Sequence, residues 1–283
     1  MKSRWLLNLS LGLLVAALLA FVYFGPASEK STGTPLTTLK ADAITQIRIE
    51  KTGAEAITLE RESENWRLRT PVRARANRFN VDSVLRIVSA TSTFQTAADT
   101  AALATYGLEK PMLRLHLNDE EFIVGAIHPM RQQHYLRYRD TVYLVDSQAV
   151  APALLNYSSF IDSQLIEEGR TLTALRLPNV RLVLREGLWR REPHDPSISM
   201  DRLNDFIAQW QNARALSVEK LSKTSAIGQI ELIFDAGGKP TPLKLDILAY
   251  KPEFVLARRD EGLEYHFPED VGKRLLNIDS GEK

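Results

Sequence analysis

Cysteine is absent from this 283-residue chain, which excludes disulfides, thiolate metal ligands and a lipidated cysteine as a membrane attachment. Net charge is close to absent as well. Thirty-six Lys and Arg stand against 35 Asp and Glu, a formal +1, so the balance points to no polyanionic partner and no nucleic acid. The familiar catalytic signatures are also missing: no Gly-x-Ser-x-Gly elbow, phosphate loop or dinucleotide fingerprint occurs. The five histidines, His116, His128, His134, His194 and His266, lack the paired helical spacing of a zinc protease, so neither a metal site nor a cofactor is expected.

What remains is ordinary globular content, 44% hydrophobic and 25% charged, and length for one large domain or two of about 100 to 150 residues. The first 24 residues stand apart. Residues 5–24, WLLNLSLGLLVAALLAFVYF, carry no charge, and a helix of that length spans roughly the 30 Å hydrocarbon core. Its twelve Leu, Val and Phe residues favour insertion by roughly 4 to 7 kcal/mol, enough to outweigh Asn8 and Ser10. Lys2 and Arg4 precede it, and Trp5, Tyr23 and Phe24 mark its ends. The expectation is a retained single-pass anchor with a cytoplasmic N-terminus and an exported body. Residues 25–41 follow with the Gly, Pro, Ser and Thr content of a flexible linker.

Beyond the linker the chain repeats itself. Three alternating segments, ITQIRIE (44–50), AITLERE (56–62) and NWRLR (65–69), are echoed by LTALRLP (172–178), VRLVLRE (180–186) and LWRRE (188–192). Alternation of this kind predicts half-buried strands. Trp66 and Trp189 hold equivalent places on the third strand, and Pro71 or Pro193 then leaves the ladder. A change to helical period follows in each copy. Asn80 is expected to cap the first helix, with Asp82 in its first turn and Val81, Val84, Leu85 and Val88 on its apolar face. Ser199 is expected to cap the second, with Asp201 in its first turn and Met200, Leu203, Phe206, Ile207 and Trp210 on its apolar face. Further hairpins are read over 112–126 and 135–146 in the first copy and over 229–267 in the second. Each copy closes on an apolar segment, VAPALLN or VGKRLLN.

The predicted fold is therefore α+β: two tandem copies, 42–157 and 172–278, of a mostly antiparallel sheet-plus-helix unit, joined by a connector over 158–171, with a tail at 279–283. Trp66 and Trp189 are expected to anchor the two cores beneath their helices. Arg67, Arg69, Arg73, Arg75 and Arg78 crowd twelve positions and admit two readings. They form a solvated strand face paired with Glu60, Glu62 and Glu64, or a patch that grips a phosphate, an anionic headgroup or a protein partner. Residues 40–157 hold 15 basic against 14 acidic side chains, which dilutes the patch. Ser217 and Lys220 spell a Ser-x-x-Lys, and Lys51-Thr52-Gly53 the companion of a penicillin-binding signature, but in the wrong order and without Ser-Asp-Asn. Carboxylate chemistry on glycan or peptide, and carriage of a lipid or small ligand, stay open as alternatives.

At TYGLEKP (105–111) the chain resembles a bacterial family catalogued as domain of unknown function 4340. The resemblance rests on Tyr106-Gly107-Leu108 and Pro111, downstream of NWRL and a helix and upstream of YLRYRDTVYLVD (135–146). The second copy departs from it, with LSKTSAIGQI in place of that turn. The resemblance implies a membrane-anchored envelope protein with no established catalytic activity. It also implies a periplasmic body accessory to the ATPase and permease subunits of a gliding-motility-type ABC transporter at the inner membrane.

Overall fold

The computed structural model describes residues 11–15, 33–99 and 102–278. Of the expected anchor, only residues 11–15 fall within it, as exposed helix. The rest of 5–24, residues 25–32 of the linker and the tail at 279–283 lie outside the described residues. No helix among the described residues is long and apolar enough to cross a membrane.

A short strand, β1 (Thr34–Pro35), leads into β2 (Gln46–Lys51), β3 (Ile57–Glu62), β4 (Asn65–Thr70) and β5 (Ala74–Arg75). Helix α1 (Arg78–Leu85) follows, then β6 (Thr91–Ser92), β7 (Gln95–Ala97), β8 (Leu113–Leu117), β9 (Glu120–Ile127), β10 (Gln133–Tyr138) and β11 (Thr141–Asp146). A one-turn helix, α2 (Ser147–Val150), and 3-10 turns over Ala151–Leu154 and Tyr157–Phe160 lead to the second half. That half contains β12 (Thr171–Arg176), β13 (Arg181–Arg185), β14 (Leu188–Glu192), α3 (Met200–Gln211), β15 (Ser217–Lys220), β16 (Gly228–Asp235), β17 (Pro240–Ala249), β18 (Glu253–Arg258), β19 (Leu263–Pro268) and α4 (Glu269–Leu276).

Among the described residues β1 pairs with β6 in a two-stranded antiparallel sheet, and the other strands form two large antiparallel sheets. One runs β5-β4-β3-β2-β8-β9-β10-β11-β7, the other β14-β13-β12-β16-β17-β18-β19-β15. Apart from β5 the orders correspond strand for strand. In both, three meandering strands pair through their first member with a second meander, and the strand after the helix closes the far edge. Alternation drives this: Ile47, Ile49, Leu59, Trp66 and Leu68 point to one face and are buried. Trp189 is buried likewise, packed in the same apolar core as Trp66, under α3, so both tryptophans do fill the interior. That core is continuous across the two sheets and includes Phe160 and Leu165 from the connector.

Three local readings are corrected. Asn77, not Asn80, caps α1: its side chain accepts the Asn80 N–H. The helix thus begins before its apolar stripe, with exposed Arg78 and Phe79 in the first turn, while Asn80 Nδ2 donates to the Ser159 carbonyl at 2.7 Å. Val88 lies in a 3-10 turn that continues the helix. The edge strands β7 and β15 were not expected, being too short for a recognisable period. Ser199 caps α3 as expected, accepting the Arg202 N–H.

Candidate functional site

The connector is the place where the two halves meet, and it is pinned to each of them in turn. Ile161 bridges to Ala76 of the first half, and Gln164 to Arg214 of the second. Asp162 N–H donates to the Arg75 carbonyl, and Leu165 N–H to the Ala213 carbonyl, both at 2.9 Å.

Arg75 occupies the centre of this seam. Its guanidinium donates to Asp162 at 2.8 Å, to Glu261 at 3.4 Å and to the Tyr265 hydroxyl at 3.3 Å. Arg258, almost wholly buried, donates to the Leu165 carbonyl and Glu167 at 3.0 Å and to Asp260 at 2.7 Å. It also pairs with Glu261 at 3.3 Å. Burial pushes Glu167 up, but the attraction of Arg258, its own backbone N–H and hydrogen bonds from Arg170 and Arg258 outweigh that and bring it down to about 2. Burial likewise opposes the charge on Arg75 and Arg258, and the surrounding acids still hold both above the usual value. Tyr265 is pushed up by burial and by Glu261. With Arg170 on Glu167 at 3.0 Å and Arg214 on Asp162 at 3.8 Å, four cations stand against the four carboxylates of the joint, and the two central guanidiniums, Arg75 and Arg258, are its most buried members.

Beside the joint opens a cleft of about 510 Å³, lined by Trp66, Arg67, Asn77, Phe79, Gln164 and Arg214 among others. At its mouth Phe79 is 70% exposed, and the guanidinium of Arg86 stacks over its ring at 5.9 Å. Arg78, in the same turn, is exposed and pairs with Asp82 at 3.6 Å.

The five arginines therefore divide. Arg67 and Arg69 lie on the exposed face of β4 and pair with Glu62 and Glu60 of β3, as the solvated-face reading expects. Glu64 pairs with Arg61 instead. Arg73 is exposed. Arg75 is drawn largely inside, its side chain 13% exposed, and becomes the joint. Sequence crowding could not reveal this, because its partners lie 87 to 190 positions away.

Tyr106, Gly107 and Leu108 form a turn laid against the outer face of the first sheet. Gly107 takes φ +67°, and a Cβ there would meet Ala126 N at 2.8 Å. Gly125 is equally constrained, its α-carbon set against the Tyr106 carbonyl, whose oxygen accepts the Ala126 N–H at 2.9 Å. Leu108 is buried there with Ile123 and Val142, and the Tyr106 ring packs tilted against that of Tyr135, centroids 4.6 Å apart. Pro111 stands just ahead of β8, where the ladder begins with Met112 N–H to Val124.

Ser217 and Lys220 fall on β15 three residues apart, so they face opposite sides of the strand and form no Ser-Lys pair. Lys51 is bound to the carbonyls of Leu154 and Leu155 at 3.2 and 2.6 Å. Of the histidines, His134 is buried in the core, where burial holds its ring below the usual value. His266 is brought together with Glu219 and Glu264, a constellation that linear spacing misses because its members come from two strands.

A family model described as Domain of unknown function (DUF4340) matches residues 66–229, more than half of the chain. No curated protein and no solved structure matches.

Proposed function

The chain belongs to the family described as Domain of unknown function (DUF4340), and on that premise we propose that it is a noncatalytic binding and assembly module. In this reading residues 5–24 anchor it in the inner membrane, with the N-terminus cytoplasmic and the two-sheet body periplasmic. Its partners are the permease and ATPase subunits of an ABC-type transporter. The observation that carries the proposal is the seam: two sheets of one strand order share a continuous core and an ionic joint, so the body offers a fixed surface. The exposed Phe79 beside Arg78 and Arg214 at the cleft gives that surface the aromatic and arginine content of an interface centre.

The test is quantitative mass spectrometry of proteins copurifying with the tagged, gently solubilised full-length chain. Stoichiometric recovery of transporter ATPase and permease subunits is expected, with recovery lowered in Phe79→Ser. Nothing above background after crosslinking would contradict the proposal.

A further inference from the structure

On the outer face of the second sheet, β15 and β19 pair so that Glu219 stands directly opposite Glu264, and Ser217 opposite His266. Like charges in that relation repel. No Lys or Arg among the described residues pairs with either carboxylate, although Glu264 is only 8% exposed. His266 Nε2 lies 3.2 Å from Glu264 Oε1, and the ligand atoms of Glu219, Glu264 and His266 all fall within 4.8 Å of one another. The other oxygen of Glu264 accepts the Ser222 N–H at 3.0 Å, which fixes the carboxylate. His266 Nδ1 engages Glu253 at 2.9 Å. A carboxylate behind one ring nitrogen, with the other facing anionic oxygens, is the arrangement that orients a metal-binding imidazole.

The first half supplies an internal comparison. Tyr138 faces Thr141 in its last hairpin as Arg258 faces Leu263 in the second. From that register Val142 and Leu144 occupy the places of Glu264 and His266. Thr96, opposite Val142, takes that of Glu219, and Gln133 that of Glu253. All four are uncharged. There the face is sealed by the Tyr106-Gly107-Leu108 turn, with Leu108 packed on Val142. The second half lacks that turn and carries four ligand-type side chains in the same four places. The fold thus does not require charge at these positions.

We propose that Glu219, Glu264 and His266 bind one divalent transition-metal ion of the zinc type, with Glu253 positioning the imidazole. The ion neutralises the opposed carboxylates and ties the edge strand β15 to β19, in place of the apolar cover used by the first half. Nitrogen and oxygen donors without a thiolate suit zinc with a fourth position left to water.

The experiment is equilibrium dialysis of the full-length chain in detergent, carrying no histidine tag, against zinc chloride, with elemental analysis. About one zinc per chain is expected. Affinity should fall at least ~10-fold in Glu219→Gln and His266→Ala and roughly 10-fold in Glu253→Gln, while His128→Ala leaves it unchanged. Should His266→Ala fail to fold by circular dichroism, Glu219→Gln, on an exposed edge position, decides. Failure to retain zinc, or retention undiminished in Glu219→Gln, would overturn the proposal.

Discussion

Single residues carry two constraints that ordinary propensity does not announce. Gly107→Ala puts a Cβ at φ +67° against a backbone nitrogen, and a loss of roughly 1 to 3 kcal/mol is expected in denaturant titration. Near-wild-type stability would contradict the close packing of that turn on Gly125. Glu167 gives a pH signature. Its carboxyl stands at about 2 in the folded chain against 4.5 for a free one, so its stabilisation is complete above the higher value and is lost as pH falls from 4.5 toward 2. On the order of 2 to 3 kcal/mol should vanish over that interval, and Glu167→Gln should flatten that part of the stability curve. Arg75→Ala leaves Asp162 with only Arg214 at 3.8 Å and Glu261 with only Arg258 at 3.3 Å, and should cost about 1 to 3 kcal/mol, measured by the same titration.

Elements show how much was legible beforehand. Strands β2, β3, β4 and their counterparts β12, β13, β14 follow from period-two alternation, since one face must be buried. The cap at Ser199 was legible because a polar residue directly precedes an apolar stripe. At α1 the cap and the stripe are separated by Arg78 and Phe79, which the cleft keeps exposed, and Asn80 looked like the better start. Ser199→Ala and Asn77→Ala should each cost about 1 kcal/mol, whereas Asn80→Ala should be felt through the lost bond to Ser159 rather than through helix content, separable by circular dichroism of the folded state. The joint at Arg75 and the cluster at His266 stayed hidden for one reason: their members are assembled by strand pairing across the chain, and nothing in linear spacing encodes that pairing. Tyr106-Gly107-Leu108 was legible as a turn, while the glycine it rests on, Gly125, was not, because a strand glycine has no signature until its neighbour is known.

At the scale of the whole molecule the family match begins in β4 and ends in β16, so it straddles both halves and contains the entire connector. That span agrees with a body whose working unit is the pair of sheets rather than either alone. The absence of cysteine makes the claim directly measurable. Spin labels placed by Gln46→Cys on β2 and Lys244→Cys on β17, both exposed strand positions, report the separation of the two halves by pulsed electron paramagnetic resonance. One narrow distance distribution is predicted for the otherwise unaltered full-length chain, broadening when Arg75→Ala removes the joint; a broad or two-peaked distribution before that substitution would contradict a fixed two-sheet body.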